Sequence, residues 1–156
     1  MLISSYNPQE MGDVLVVITG PDVADQIVNS KGNVTQITAA KDGSLLGYNF
    51  FNASEVLPEL KSERGQVFLS DEQVAKLNKV LTQAGFTDEL TADHTPKFVV
   101  GYVEKIEDHP KSDHLKITQT RVEDGKTVQI VCGSPNVKEH IKVVAARPGA
   151  MMPSGK

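Results

Sequence analysis

The sequence predicts an α+β protein in two parts. Residues 1–92 read as an N-terminal α/β-type domain with a mixed or antiparallel sheet and one clear helix, and residues 96–156 as a separate β domain. Three observations predict this. Short β-prone runs recur in both halves with Asp-Gly turns between them, helical periodicity appears once, and a polar aperiodic stretch at 87–96 lies between the halves.

Taken in order, residues 2–6 supply a first strand. Residues 13–18 (DVLVVI) are a continuous β-branched run that reads as a strand buried on both faces, closed by Gly20-Pro21. The run 34–39 alternates loosely and leads through Lys41-Asp42-Gly43 into residues 44–51. Asp-Gly between two β-prone segments predicts a hairpin, because glycine takes the positive φ of a tight turn. The helix spans residues 71–84. Ser70 is its N-cap, Gln73 completes a capping box, and Leu69 can staple onto Val74. Val74, Leu77, Val80, Leu81 and Ala84 recur at helical spacing, and Gly85 sits where a C′ glycine ends a helix.

The β domain opens with a strand at 98–106. Residues 114–122 alternate apolar Leu115 and Ile117 with polar Lys116 and Thr118, as a half-exposed strand should. Asp124-Gly125 turns the chain into a returning strand at 127–132, and 142–146 is a fourth. Such a series describes a meander, a sandwich or a small barrel.

Bulk properties narrow the function classes. At 156 residues, 39% hydrophobic and 23% charged, the chain is ordinary for a soluble globular protein. Its one cysteine, Cys132, forms no internal disulfide, and no secretion signal or run of about 18 apolar residues is present, so a cytoplasmic protein with no membrane association is expected. The net charge of −4 hides an asymmetry: residues 1–94 hold 6 Lys and Arg against 13 Asp and Glu, a net of −7, and residues 95–156 hold 10 against 7, a net of +3. Only the second half has the sign that phosphate binding requires.

Two segments are more specific than composition. H-P-K-S-D-H-L at 109–115 follows the first strand of the β domain, and Q-I-V-C-G-S-P-N-V at 129–137 ends the third. With R-P-G-A-M-M-P at 147–153 they resemble, in order and spacing, the EMAP-II-like tRNA-binding domain, a module also found in the bacterial phenylalanyl-tRNA synthetase β subunit. The order of an acidic domain followed by this module, with G-Y-N-F-F at 47–51, resembles the YtpR family. The resemblance implies an OB-fold β-barrel and a tRNA partner without DNA sequence specificity. Members continue into a further strand with an L-R-G-x-x-S-x-G-M segment. The chain stops at Ser154-Gly155-Lys156, so an incomplete barrel is expected, and weak or no binding by these 156 residues alone.

An OB-fold usually binds through strands 2–3 and the loops beside them. That placement makes Lys111, His114, Lys116 and Lys126 candidates expected near one surface, with Lys138, Lys142 and Arg147 as further cations. Asn136 follows Pro135 in a turn where its side chain is expected to bond backbone, with a lesser claim to touch RNA. Phe98 and Tyr102 are expected to pack in the core, which favours recognition of folded RNA by shape and backbone.

No catalytic residue is assigned, since Cys132 has no identifiable activating base. His109, His114 and His140 lack metal-ligand spacing, Gly12, Gly20 and Gly32 lack phosphate-loop spacing, and no cofactor is expected. The leading reading is a non-catalytic tRNA-binding protein. The alternatives are a protein-interaction or chaperone-like module, for which a homodimer is compatible, and a tRNA-editing accessory enzyme with its site in the N-terminal domain.

Overall fold

The computed structural model describes residues 1–150, which form two compact units, 1–94 and 95–150. In the first unit, β1 (Ile3–Tyr6), β2 (Val14–Ile18), β3 (Gln26–Lys31), β4 (Val34–Ala39), β5 (Leu45–Phe51) and β6 (Gly65–Val67) make one sheet. Its order is β3-β4-β5-β2-β1-β6, and every neighbouring pair is antiparallel. A single turn of helix, α1 (Ala53–Val56), and a 3-10 turn (Pro58–Ser62) precede β6, and α2 (Asp71–Ala84) follows it.

The core is built on the sheet register. Tyr6 pairs with Leu15, Leu15 with Phe50, and Phe50 with Val34, so one row crosses four strands with no member more than 2% exposed. The apolar stripe of α2, Val74, Leu77 and Leu81, belongs to the same buried cluster. Each such side chain contributes about 1.5–3 kcal/mol. The capping box is present: Gln73 N–H donates to Ser70 Oγ at 3.2 Å and Ser70 N–H to Gln73 Oε1 at 2.9 Å. Gly85, at φ 83°, ends the helix in the left-handed region.

One reading is corrected. The run at 13–18 is not buried on both faces: Leu15 and Val17 are buried, but Ile18 is 40% exposed, because an antiparallel sheet with its helix on one face leaves the other half open. The stretch at 87–96 begins as a segment pinned to the first unit. Asn78 donates from Nδ2 to the Leu90 carbonyl at 2.8 Å and accepts the Leu90 N–H at 2.7 Å, and Tyr48 Oη–H donates to the Asp88 carbonyl at 2.8 Å. Phe86 and Leu90 are buried.

In the second unit, β7 (Phe98–Asp108), β8 (Lys116–Arg121), β9 (Thr127–Cys132) and β10 (Lys142–Ala146) form an antiparallel sheet in the order β10-β7-β8-β9. Long β7 serves two partners. Phe98 to Tyr102 pair with β10 and Tyr102 to Asp108 with β8, with a bulge between Val103 and Lys105. Bulges bend and twist a strand. The result is a curled half-barrel consistent with part of an OB-fold.

The inner face of that curl corrects the reading of β8. Its alternation is present, but the buried members are Thr118 and Thr120, at 2% and 1% exposure, and not Ile117. The two hydroxyls lie 3.0 Å apart, and Thr118 Oγ1 donates to the Ile130 carbonyl at 3.1 Å, which satisfies their burial. Gly101 in β7 leaves the room they need, since a Cβ there would lie 2.6 Å from Thr120 Cγ2.

Candidate nucleic-acid interface

The outer face of the second sheet follows from the same register. Facing residues share a side of a sheet, and successive residues alternate. With Val99, Gly101 and Val103 turned inward, Phe98, Val100 and Tyr102 face outward. Tyr102 pairs with Lys142 of β10 on one side and Arg121 of β8 on the other. A row Lys142–Tyr102–Arg121 therefore crosses three strands. Phe98 is 46% exposed and Tyr102 half-buried, so the expected core role of both is corrected.

The row is organised by contacts. The guanidinium of Arg121 sits over the Tyr102 ring at 5.4 Å from its centroid, and Arg121 Nε pairs with Glu104 at 3.2 Å. Tyr102 Oη lies 3.2 Å from His140 Nδ1, with the two rings 6.1 Å apart. Tyr102, Arg121, Glu123 and Lys142 line a shallow concavity of about 270 Å³. Arg147, half-buried, reaches Glu123 at 3.4 Å.

The predicted cations do not share one surface. Lys116 stands at the start of β8 on the inner face, in register with Asp108 and Cys132, and it is ion-paired to Asp108. Lys126 follows the turn at the other end of β8 and pairs with Asp124 at 3.5 Å. A six-residue strand spans about 20 Å, which separates the two. His114, in the β7–β8 loop, has Nδ1 2.9 Å from Asp113 Oδ1, and this bond holds the Asp113 carboxyl below its usual range. Lys111 is exposed in the same loop, its N–H donating to His109 Nδ1 at 3.2 Å.

In the turn at 134–137 the bond runs from the Asn136 N–H to Ser134 Oγ at 3.4 Å, so serine supplies the side chain expected from Asn136. Lys138 and Asn136 are exposed in that loop. Among the described residues, Lys111, Lys138 and Lys142 have no carboxylate within ion-pairing distance. Of these, Lys142 stands beside an aromatic ring. The sequence reading missed Arg121, Tyr102 and His140. The alternation of β7 counted from buried Val99 points to Tyr102, whereas Arg121 and His140 emerge only as its partners in the folded sheet.

Known proteins match both units. Residues 98–156 match the family described as "Putative tRNA binding domain", and residues 21–93 the one described as "Domain of unknown function (DUF4479)". The "Putative tRNA-binding protein YtpR" of Bacillus subtilis is 41% identical over 151 residues, covering 96% of this chain and 74% of that protein. The chain belongs to the YtpR family. Part of the chain is also similar to phenylalanine–tRNA ligase β subunits. That of Neisseria meningitidis is 43% identical over 81 residues, 50% of this chain and 10% of the subunit. That of Oceanobacillus iheyensis is 48% identical over 65 residues, 42% of this chain and 8% of the subunit. In this chain the two matched domains follow one another in that order, and among its described residues no helix is long and apolar enough to cross a membrane.

Proposed function

We propose that this YtpR-family protein binds tRNA without catalysing a reaction on it, through the outer face of its second unit. The observation that carries the reading is the Lys142–Tyr102–Arg121 row on a domain whose family is described by tRNA binding. On that face Lys142 and Arg121 supply the phosphate contacts, because Lys142 has no carboxylate partner among the described residues and Arg121 is only partly used by Glu104. Lys111 and Lys138, exposed in loops, add positive charge elsewhere on the unit. Lys116, His114, Lys126 and Arg147 contribute less, since each already faces a carboxylate. Asn136, exposed in its turn, is given no leading role, and the groups gathered on this face bind and orient rather than activate a nucleophile.

Binding that rests on phosphate contacts weakens with salt. The test is tRNA affinity of the full-length protein across ionic strength, with double-stranded DNA as competitor. Preference for tRNA and a steep salt dependence support the reading. Absence of binding at low ionic strength refutes it.

A further inference from the structure

We propose that the Arg121–Tyr102–His140 cluster, with Lys142 beside it, is a platform for one unpaired nucleotide. Its base would lie on the planar groups and its phosphate on Lys142. The inference rests on the RNA-binding reading and adds what is read: an extruded base, where phosphate contacts alone would accept any duplex.

Three planar side chains with stacking faces converge here. The guanidinium of Arg121 lies over Tyr102, and the imidazole of His140 meets the same phenol at a ring tilt of 39°. Aromatic rings and guanidinium planes are the groups on which unpaired bases stack. They lie on an open outer face, and the next row on that face, Val100 paired with Val144, is 62% and 76% exposed. A cationic row beside an exposed apolar row matches a nucleotide, whose base is a flat apolar surface and whose phosphate is an anion.

His140 is placed with care. Its φ is 64°, in the left-handed region that side-chain-bearing residues seldom adopt, and its N–H donates to the Val103 carbonyl at 2.7 Å. The loop before β10 thus holds an imidazole against the phenol at some backbone cost. Charge is consistent with an anion. Glu104 and Glu123 are each engaged by an arginine and Glu139 accepts the Ile106 N–H, while Lys142 has no carboxylate partner among the described residues.

The test measures binding of the full-length protein to three probes: tRNA, a blunt RNA duplex and a single-stranded RNA oligonucleotide. Tyr102→Leu removes the ring, Tyr102→Phe keeps it, and Arg121→Lys keeps the charge but not the plane. Tyr102→Leu and Arg121→Lys should each weaken tRNA and single-strand binding by about tenfold, leaving duplex binding unchanged, and Tyr102→Phe should retain the ring-dependent part. If both variants match the wild type on tRNA and single strands, or weaken all three probes equally, the platform is overturned while the tRNA reading stands. Wild-type binding of the single strand that is lost in Tyr102→Leu, without binding of tRNA, keeps the platform and removes the tRNA reading. Binding of none of the probes overturns both.

Discussion

Arg121 and Tyr102 are direct partners across β8 and β7, and the guanidinium rests over the phenol ring rather than extending freely into solvent. The contact fixes a cation on the outer face in a defined place, with Lys142 on the other flank of the same tyrosine. Positions in such a row differ from surface lysines that are already neutralised.

Lys142 and Lys116 test that difference. Lys142→Ala should lower the slope of log affinity against log salt by about one, the loss of one phosphate contact. Lys116→Ala should change it by less, because Lys116 faces inward and pairs with Asp108. Fluorescence anisotropy with labelled tRNA at several salt concentrations measures both. A larger effect at Lys116 would place the interface elsewhere.

The threonine pair inside the half-barrel predicts a stability change without a surface change. Thr118→Val keeps the shape but removes the bond to the Ile130 carbonyl and the link to Thr120. A loss of about 1–2 kcal/mol is expected in urea unfolding. The double variant with Thr120→Val should cost less than the sum of the single ones, since the two hydroxyls share one network.

Asn78→Ala releases both bonds that hold Leu90 to α2. The expected cost is about 2 kcal/mol, with faster amide exchange concentrated at residues 86–92. Uniform exchange changes across the first unit would show that the segment is held by other means.

Asp13 gives a pH-dependent prediction. Its carboxylate accepts from Tyr6 Oη at 2.9 Å, Ser54 N–H at 2.9 Å and Ser54 Oγ at 2.6 Å. Partial burial pushes its pKa up, but the hydrogen bonds from Ser54 and Tyr6 and the charge of Lys61 together outweigh this and hold the carboxyl below its ordinary value. A folded pKa below the unfolded one contributes stability that is fully present above the unfolded value, and that is lost as pH falls through the folded value. Wild type should therefore exceed Asp13→Asn in urea midpoint at neutral pH, and the gap should close as the solution is acidified below about pH 4. A gap that stays constant would remove the carboxylate from this role.

What the sequence displayed was mostly local. The α2 cap is legible because Ser70, Gln73 and Gly85 act within one turn of the chain, and the 42–43 and 124–125 turns because glycine supplies positive φ there. Edge strand β3 was not legible: all six of its residues, Gln26 to Lys31, are exposed, so no buried alternation marks it. The faces of β7 and β8 depend on the bulge at Val103 and Lys105 and on the space at Gly101, both set by strand pairing far along the chain. That is why Thr118 and Thr120 replaced Ile117 in the interior, and why Tyr102 and Arg121 escaped notice. The motif at 109–115 identified the module, but where its cations point is a property of the folded sheet.

The most direct test of the central claim is the affinity of the full-length protein for tRNA between about 50 and 200 mM salt, in wild type and in Lys142→Ala combined with Arg121→Ala. The expected result is wild-type binding whose log–log salt slope is at least about 2 in magnitude, falling by about two in the double variant. Wild-type binding that ignores salt, or a double variant with an unchanged slope, would contradict the assignment of this face to RNA.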